Sequence, residues 1–196
     1  MNIDLNKTLK RIERYLSSDG GISLSELKHA CQHTLHLYSQ LVSAIYDAET
    51  FGGATYQKSF AQEQSAGMNS GDCVMLTIKE PLPSVKKLTE AIEEHWKAMV
   101  HSAISEAAHQ GPLPHFEKAM VEIEITAPRG SDNARLWDTS NRAINVIINN
   151  LKGIFFEDDN MEHMAFSVVG RWGEKGVTII RISELSKSRQ TGGIRF

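Results

Sequence analysis

The sequence has little cysteine, and what it has is scattered. Cys31 and Cys73 are the only two, and neither sits in a CxxC or Cys/His arrangement. That excludes a disulfide framework and a thiolate zinc site. Two free thiols in a reducing, cytoplasmic compartment are the expectation. Long apolar runs are missing too. A membrane-spanning helix needs about 20 mostly apolar residues, so none is expected. Met1-Asn2-Ile3-Asp4 has neither a basic stretch nor an apolar core, so no signal peptide is expected. Positive charge is not in excess. The net charge of −3 does not point to nucleic acid, although a net value hides local asymmetry. No glycine-rich phosphate loop, dinucleotide fingerprint or nucleophile elbow occurs, which leaves nucleotide binding and triad hydrolysis without support.

What is present reads as an ordinary globular chain. It has 196 residues, 41% hydrophobic and 23% charged. That suits one domain with a helical extension. Leu5, Leu9, Ile12 and Leu16 share one helical face, which predicts a helix over 5–17, broken by Asp19-Gly20-Gly21. Ser23 followed by Glu26 is a capping box, with Ile22 placed to staple onto Leu27. The helix it opens carries an apolar stripe from Leu24 through Leu27, Cys31, Leu35, Tyr38 and Val42 to Ile45. Residues 1–50 are therefore an αα-hairpin. Such a stripe calls for a covering surface, either the rest of the chain or a partner. Residues 51–72 hold four glycines and no clear period, which predicts a linker or loop.

From Cys73 the pattern changes. Val74–Lys79 reads as a strand. Leu88, Ile92, Trp96, Met99, Ala103 and Ala107 predict a helix over 88–110, ended by Gly111-Pro112. Val121, Ile123 and Ile125 alternate with Glu122, Glu124 and Thr126, the mark of a half-buried strand. A helix is predicted over 139–152 with Gly153 as its C-cap. Met164–Arg171 and Val177–Ile182 read as a hairpin turning at Gly173–Gly176. Residues 186–196 are a polar tail. The β-α-β-α-β-β order predicts an α+β domain over 73–185, a small mixed sheet of about four strands with helices packed on it.

Two groups of side chains are candidates for chemistry. Asp138 opens the helix at 139–152, and Glu157-Asp158-Asp159 follows its end. A helix and a returning loop can bring Asp138 and Asp159 together. Carboxylates without Cys or His suit Mg²⁺, an ion that polarises phosphodiesters and activates water. The same residues are also common at helix caps and loops for structural reasons. Asp138, Arg142, Asn145 and Asn149 lie on one helix face, while Ile144, Ile147, Ile148 and Leu151 lie on the other. His29, His33 and His36 are spaced for metal binding, but no third ligand type accompanies them, so a solvated face is the reading. His95, His101 and His109 read the same way.

The ordered set of motifs resembles the RusA family of Holliday-junction resolvases. The residues that carry it are Leu76–Ser84 with its Leu-Pro segment, Asp138-x-Ser140-Asn141, the turn Leu151-Lys152-Gly153, the apolar Ile154-Phe155-Phe156, and Glu157-Asp158-Asp159. The similarity covers roughly 73–185 and leaves 1–72 unmatched. It implies a Mg²⁺-dependent endonuclease cutting branched DNA as a homodimer. Asp138 and Asp159 would be catalytic, with Arg142 stabilising charge. Asp138, Asp158 and Asp159 would hold the metal, and Arg171, Lys175 and Arg181 would meet DNA. The chain departs from the family at two charged positions. Ser140 stands for an acid. Ile144 or Asn145, depending on whether Asp138 or Gly153 anchors the alignment, stands for a lysine. The alternative is therefore a catalytically degenerate relative, a DNA- or protein-binding module with the N-terminal helices as a partner surface.

Overall fold

The computed structural model describes residues 5–17, 22–51, 59–83, 89–128 and 142–185. Helices α1 (Leu5–Leu16), α2 (Leu24–Phe51) and α3 (Phe60–Gln64) precede strands β1 (Ser65–Asn69) and β2 (Cys73–Ile78). Then come α4 (Glu90–Ala108), β3 (Ala119–Pro128), α5 (Arg142–Leu151), β4 (Met164–Gly173) and β5 (Val177–Glu184). The chain forms two compact units. One is Met1–Gln57 with Thr89–Ile92, and the other is Lys58–Leu88 with Glu93–Phe196.

In the first unit α1 and α2 run antiparallel. Thr8, buried on α1, reaches Gln40 at 3.5 Å, while Tyr15 stacks on His29 and His33 at ring distances of 5.4 and 5.7 Å. The capping box forms in full. The Ser23 N–H donates to Glu26 Oε2 at 2.8 Å, and the Glu26 N–H donates to Ser23 Oγ at 3.2 Å. Those bonds hold the Glu26 carboxyl below its ordinary range. Ile22 and Leu27, the pair placed to staple, are 42% and 46% exposed. Val42 is buried, but Leu24 at the start of the stripe is 69% exposed.

The second unit is α+β, a five-stranded mixed sheet in the order β1-β2-β5-β3-β4. β3 and β4 are parallel, and the other pairings are antiparallel. One sheet face is apolar and buried through Val74, Leu76, Ile78, Val121, Ile123, Ile125, Ile180 and Ile182. Trp96, Met99 and Val100 of α4 and Ile144, Ile147 and Leu151 of α5 are buried with them. Each such side chain contributes about 1.5–3 kcal/mol relative to exposure. The other face alternates into half-exposed positions, as the two-residue period of β3 requires.

Two expectations need correction. The stretch 51–72 is not a plain linker, because α3 and β1 occupy its second half. β1 is held by its surroundings. It pairs with β2 on one side. On the other, side chains of α4 and of the turn that follows it stand in for a strand. Glu106 Oε2 accepts from the Gly67 N–H at 3.1 Å, Gln110 Nε2 donates to the Gly67 carbonyl at 2.9 Å, and Gln110 Oε1 accepts from the Asn69 N–H at 3.0 Å. The last two strands, moreover, are not a paired hairpin. β3 lies between β4 and β5, so the turn after Gly173 steps over a strand. β3 is apolar on its buried face and takes hydrogen bonds on both edges, which places it at the interior of the sheet.

Candidate functional site

The acidic turn follows directly from how α5 ends. Gly153 adopts φ +78°, a left-handed conformation that glycine takes without a Cβ penalty. The chain then closes on itself. Phe155 N–H donates to the Leu151 carbonyl at 3.0 Å, and Gly153 N–H donates to the Phe156 carbonyl at 2.8 Å. Phe155 and Phe156 are fully buried and act as anchors. The Phe116 N–H donates to the Phe155 carbonyl at 2.8 Å, and His115 Nδ1 bonds the Ile154 carbonyl at 3.0 Å. The residues that follow are thus delivered to the surface by a fixed support.

There Asp158 and Asp159 converge on one cation. Lys152 Nζ lies 3.3 Å from Asp158 Oδ1 and 3.2 Å from Asp159 Oδ1. Asn160 Nδ2 donates to the second Asp158 oxygen at 2.9 Å. The Asp159 backbone N–H, followed by Lys152, holds the Asp158 carboxyl below its usual range. Asp159 and Asp158 in turn push the Lys152 ammonium up. Glu157 is exposed beside them. Asp138, with Thr139, Ser140 and Asn141, lies outside the described residues, as does the side chain of Arg142. Among the described residues no three His, Cys, Asp or Glu side chains group to hold a metal.

α5 sorts its faces as its spacing requires. Ile144, Ile147, Ile148 and Leu151 are buried, and Asn145 and Asn149 are exposed. Arg171 and Arg181, expected at DNA, share one carboxylate on the half-exposed sheet face. Glu124 forms ion pairs with Arg171, Nε lying 3.2 Å from Oε1, and with Arg181, Nη1 lying 3.5 Å from Oε2. Lys175 stands exposed between β4 and β5.

The comparisons give no family. No protein-family model, curated protein or solved structure matches the chain.

Two residues escaped sequence reasoning in their actual roles. Lys152 entered it only as the middle of a Leu-Lys-Gly turn. No local signal pointed to it, because its contact with the acids depends on the path of the turn after Gly153. His95 was read as solvated, yet it is fully buried. Its Nε2 meets Glu80 Oε1 at 2.8 Å, and its ring stacks on Phe60 at 5.5 Å. Its neighbour in sequence, Trp96, belongs to the apolar stripe, and that adjacency is the hint. His101 is exposed as expected and bonds Asn150 Oδ1 at 2.7 Å.

Proposed function

We propose that the chain is a Mg²⁺-dependent endodeoxyribonuclease of the RusA type that cuts branched DNA in the cytoplasm as a homodimer. The observation that supports this reading is the pair of exposed carboxylates, Asp158 and Asp159, aimed at one cation by a rigid turn. The donor set fits the ion. All the groups concerned are oxygens, and Mg²⁺ is usually held by one or two carboxylates while keeping several waters. Asp138 would be the third carboxylate, and Arg142 would face negative charge developing on the phosphate. When bound, the ion supplies Lewis acidity toward the phosphodiester and a more acidic water. The chain's own part is to fix Asp158 through Asn160 and the Asp159 N–H, which with Lys152 hold its carboxyl below the usual range. No helix among the described residues is long and apolar enough to cross a membrane.

The test is cleavage of a four-way DNA junction with Mg²⁺ or Mn²⁺. Asp138→Asn and Asp159→Asn should each abolish cutting. Junction binding should survive, since removing a carboxylate lessens repulsion of the phosphates. Rapid cutting that Asp138→Asn leaves unchanged would overturn the reading.

A specific observation favours the second reading, a binding module without cleavage. Lys152 already supplies a cation to both carboxylates, and Ser140 and Ile144 lack the charges of the family pattern. In that case the wild type binds junctions or a protein partner and cuts nothing with either metal.

A further inference from the structure

We propose that the outward face of α1 is a docking surface for the phosphate backbone of duplex DNA. Lys7, Lys10, Arg11 and Arg14 recur at i, i+3, i+4 and i+7, which places all four on one face of the helix. They are all exposed, and with Asn6 they line an open cleft of about 430 Å³. One flank of α1 is engaged in its own unit, where Thr8 meets Gln40 and Tyr15 stacks on His29 and His33. Glu13 is the only acid on the helix. The chain as a whole is negative, so this face is a local reversal of sign.

An ordinary solvated helix face mixes its charges. α4 does so, with Lys97 bonded to Glu94 at 2.6 Å one turn away. α1 does the opposite. Lys10, Arg11 and Arg14 have no acidic partner among the described residues. Each like-charged i,i+3 or i,i+4 pair weakens the helix, and here there are four such pairs. The first turn has no acid to offset the helix dipole at that end. An external polyanion removes all of these penalties at once.

Spacing selects the polyanion. From Lys7 to Arg14 the helix rises about 10 Å. One DNA strand carries a phosphate about every 3.4 Å of axis, so about three phosphates lie alongside. Arg11 and Arg14 add forked donors that match phosphate oxygens. A lipid surface is the rival occupant, because interfacial helices sink their apolar face into the acyl boundary and Leu9 and Leu16 of α1 are 44% and 46% exposed. The spacing of the cations favours DNA, and the vesicle arm of the test below decides between the two. The surface lies on α1 and does not need the nuclease reading.

The test is binding of the full chain, in EDTA, to a short fluorescent duplex across a NaCl series. The expected result is a linear fall of log K with log salt. Lys10→Gln/Arg11→Gln/Arg14→Gln should lower that slope by about 2–3 units and weaken low-salt binding roughly tenfold or more. Arg11→Lys/Arg14→Lys should keep most of the slope. Circular dichroism should show the triple variant as helical as the wild type, because it loses only repulsion. Equal slopes and affinities for wild type and triple variant would overturn the proposal. So would face-dependent binding to anionic vesicles or polyglutamate with none to DNA. Cleavage is read separately, so a chain that cuts junctions yet binds alike in both forms sinks the α1 surface alone. A chain that binds through α1 and cuts nothing supports the surface and sinks the nuclease.

Discussion

Lys152 governs the charge of the acidic turn, and its removal separates two effects. Lys152→Gln leaves Asp158 and Asp159 facing each other without their cation. Divalent affinity should therefore rise, read as Mn²⁺ binding by calorimetry, because the ion no longer competes with an ammonium. The pH dependence has a definite sign. Asp158 titrates lower when folded, so its contribution to stability is present above the ordinary carboxyl pKa of about 3.9. That contribution is lost as pH falls through the lowered folded value. Lys152 titrates higher when folded, so its contribution is present below about 10.4 and is lost as pH rises through the raised folded value. Melting temperatures of wild type and Lys152→Gln should differ near neutrality and converge in strong acid. A difference that persists at the acid end would mean that Lys152 acts through something other than these carboxylates.

The two positions where the resemblance would call for a lysine differ at the same scale. Ile144 is only 4% exposed, whereas Asn145 is exposed. A lysine at 144 would bury an unpaired ammonium, at a cost on the order of 3 kcal/mol or more. At 145 it should change stability by no more than about 0.5 kcal/mol. Ser140→Asp/Asn145→Lys is therefore the double variant expected to create or raise junction cleavage. Ser140→Asp/Ile144→Lys should chiefly lower the urea midpoint. A stable Ile144→Lys protein would show that α5 does not bury this face as firmly as its side chains indicate.

At the scale of elements, legibility followed periodicity. α1, α2, α4 and α5 each carry a 3.6-residue apolar pattern, and β3 a two-residue one, so their existence and type were readable. The capping box at Ser23 and the left-handed Gly153 were readable because each is a local device with a fixed spacing. β1 was not readable. Ser65-Ala66-Gly67-Met68-Asn69 has little strand propensity, and its pairing depends on β2, on Glu106 of α4 and on Gln110 just after it, far away in sequence. The β4–β5 pairing was misread because a short turn between two strands normally means a hairpin, and only the sheet order reveals the strand between them. Of the candidate site, the acids could be seen but not their lysine, because that contact depends on the turn's three-dimensional path. Gly67 supplies the element-level prediction. A Cβ there would overlap the Ala103 carbonyl and press on the Ala107 backbone N, neither of which can rotate away. Gly67→Ala should destabilise the sheet unit by about 1–3 kcal/mol, measured by chemical denaturation. Gly71→Ala meets no neighbour and strains only its own backbone at φ +84°, so it should cost about 1 kcal/mol.

At the scale of the whole molecule, the described residues form one sheet with two different edges, and that asymmetry should be measurable. β3 bonds β5 on one side and β4 on the other. β1 looks like an edge in strand order, but Glu106 of α4 and Gln110 after it cover its outer backbone groups. β4 pairs only with β3 among the described residues, and along it Phe166, Val169 and Trp172 are 49%, 41% and 49% exposed. Uncovered edges exchange with solvent and recruit other strands, whereas interior strands open only when the sheet unfolds. Amide hydrogen exchange should therefore be slowest in β3 and comparably slow in β5. The Gly67 and Asn69 amides should be protected despite their place at the margin, and Glu106→Ala should release Gly67 without disturbing β3. In β4, exchange should alternate along the strand, with the amides facing β3 slow and those facing outward fast. If the outward set is slow as well and its protection fades on dilution, a second copy is pairing there, and the homodimer reading gains a location. If it is slow at every concentration, the free edge inferred from the strand order is wrong.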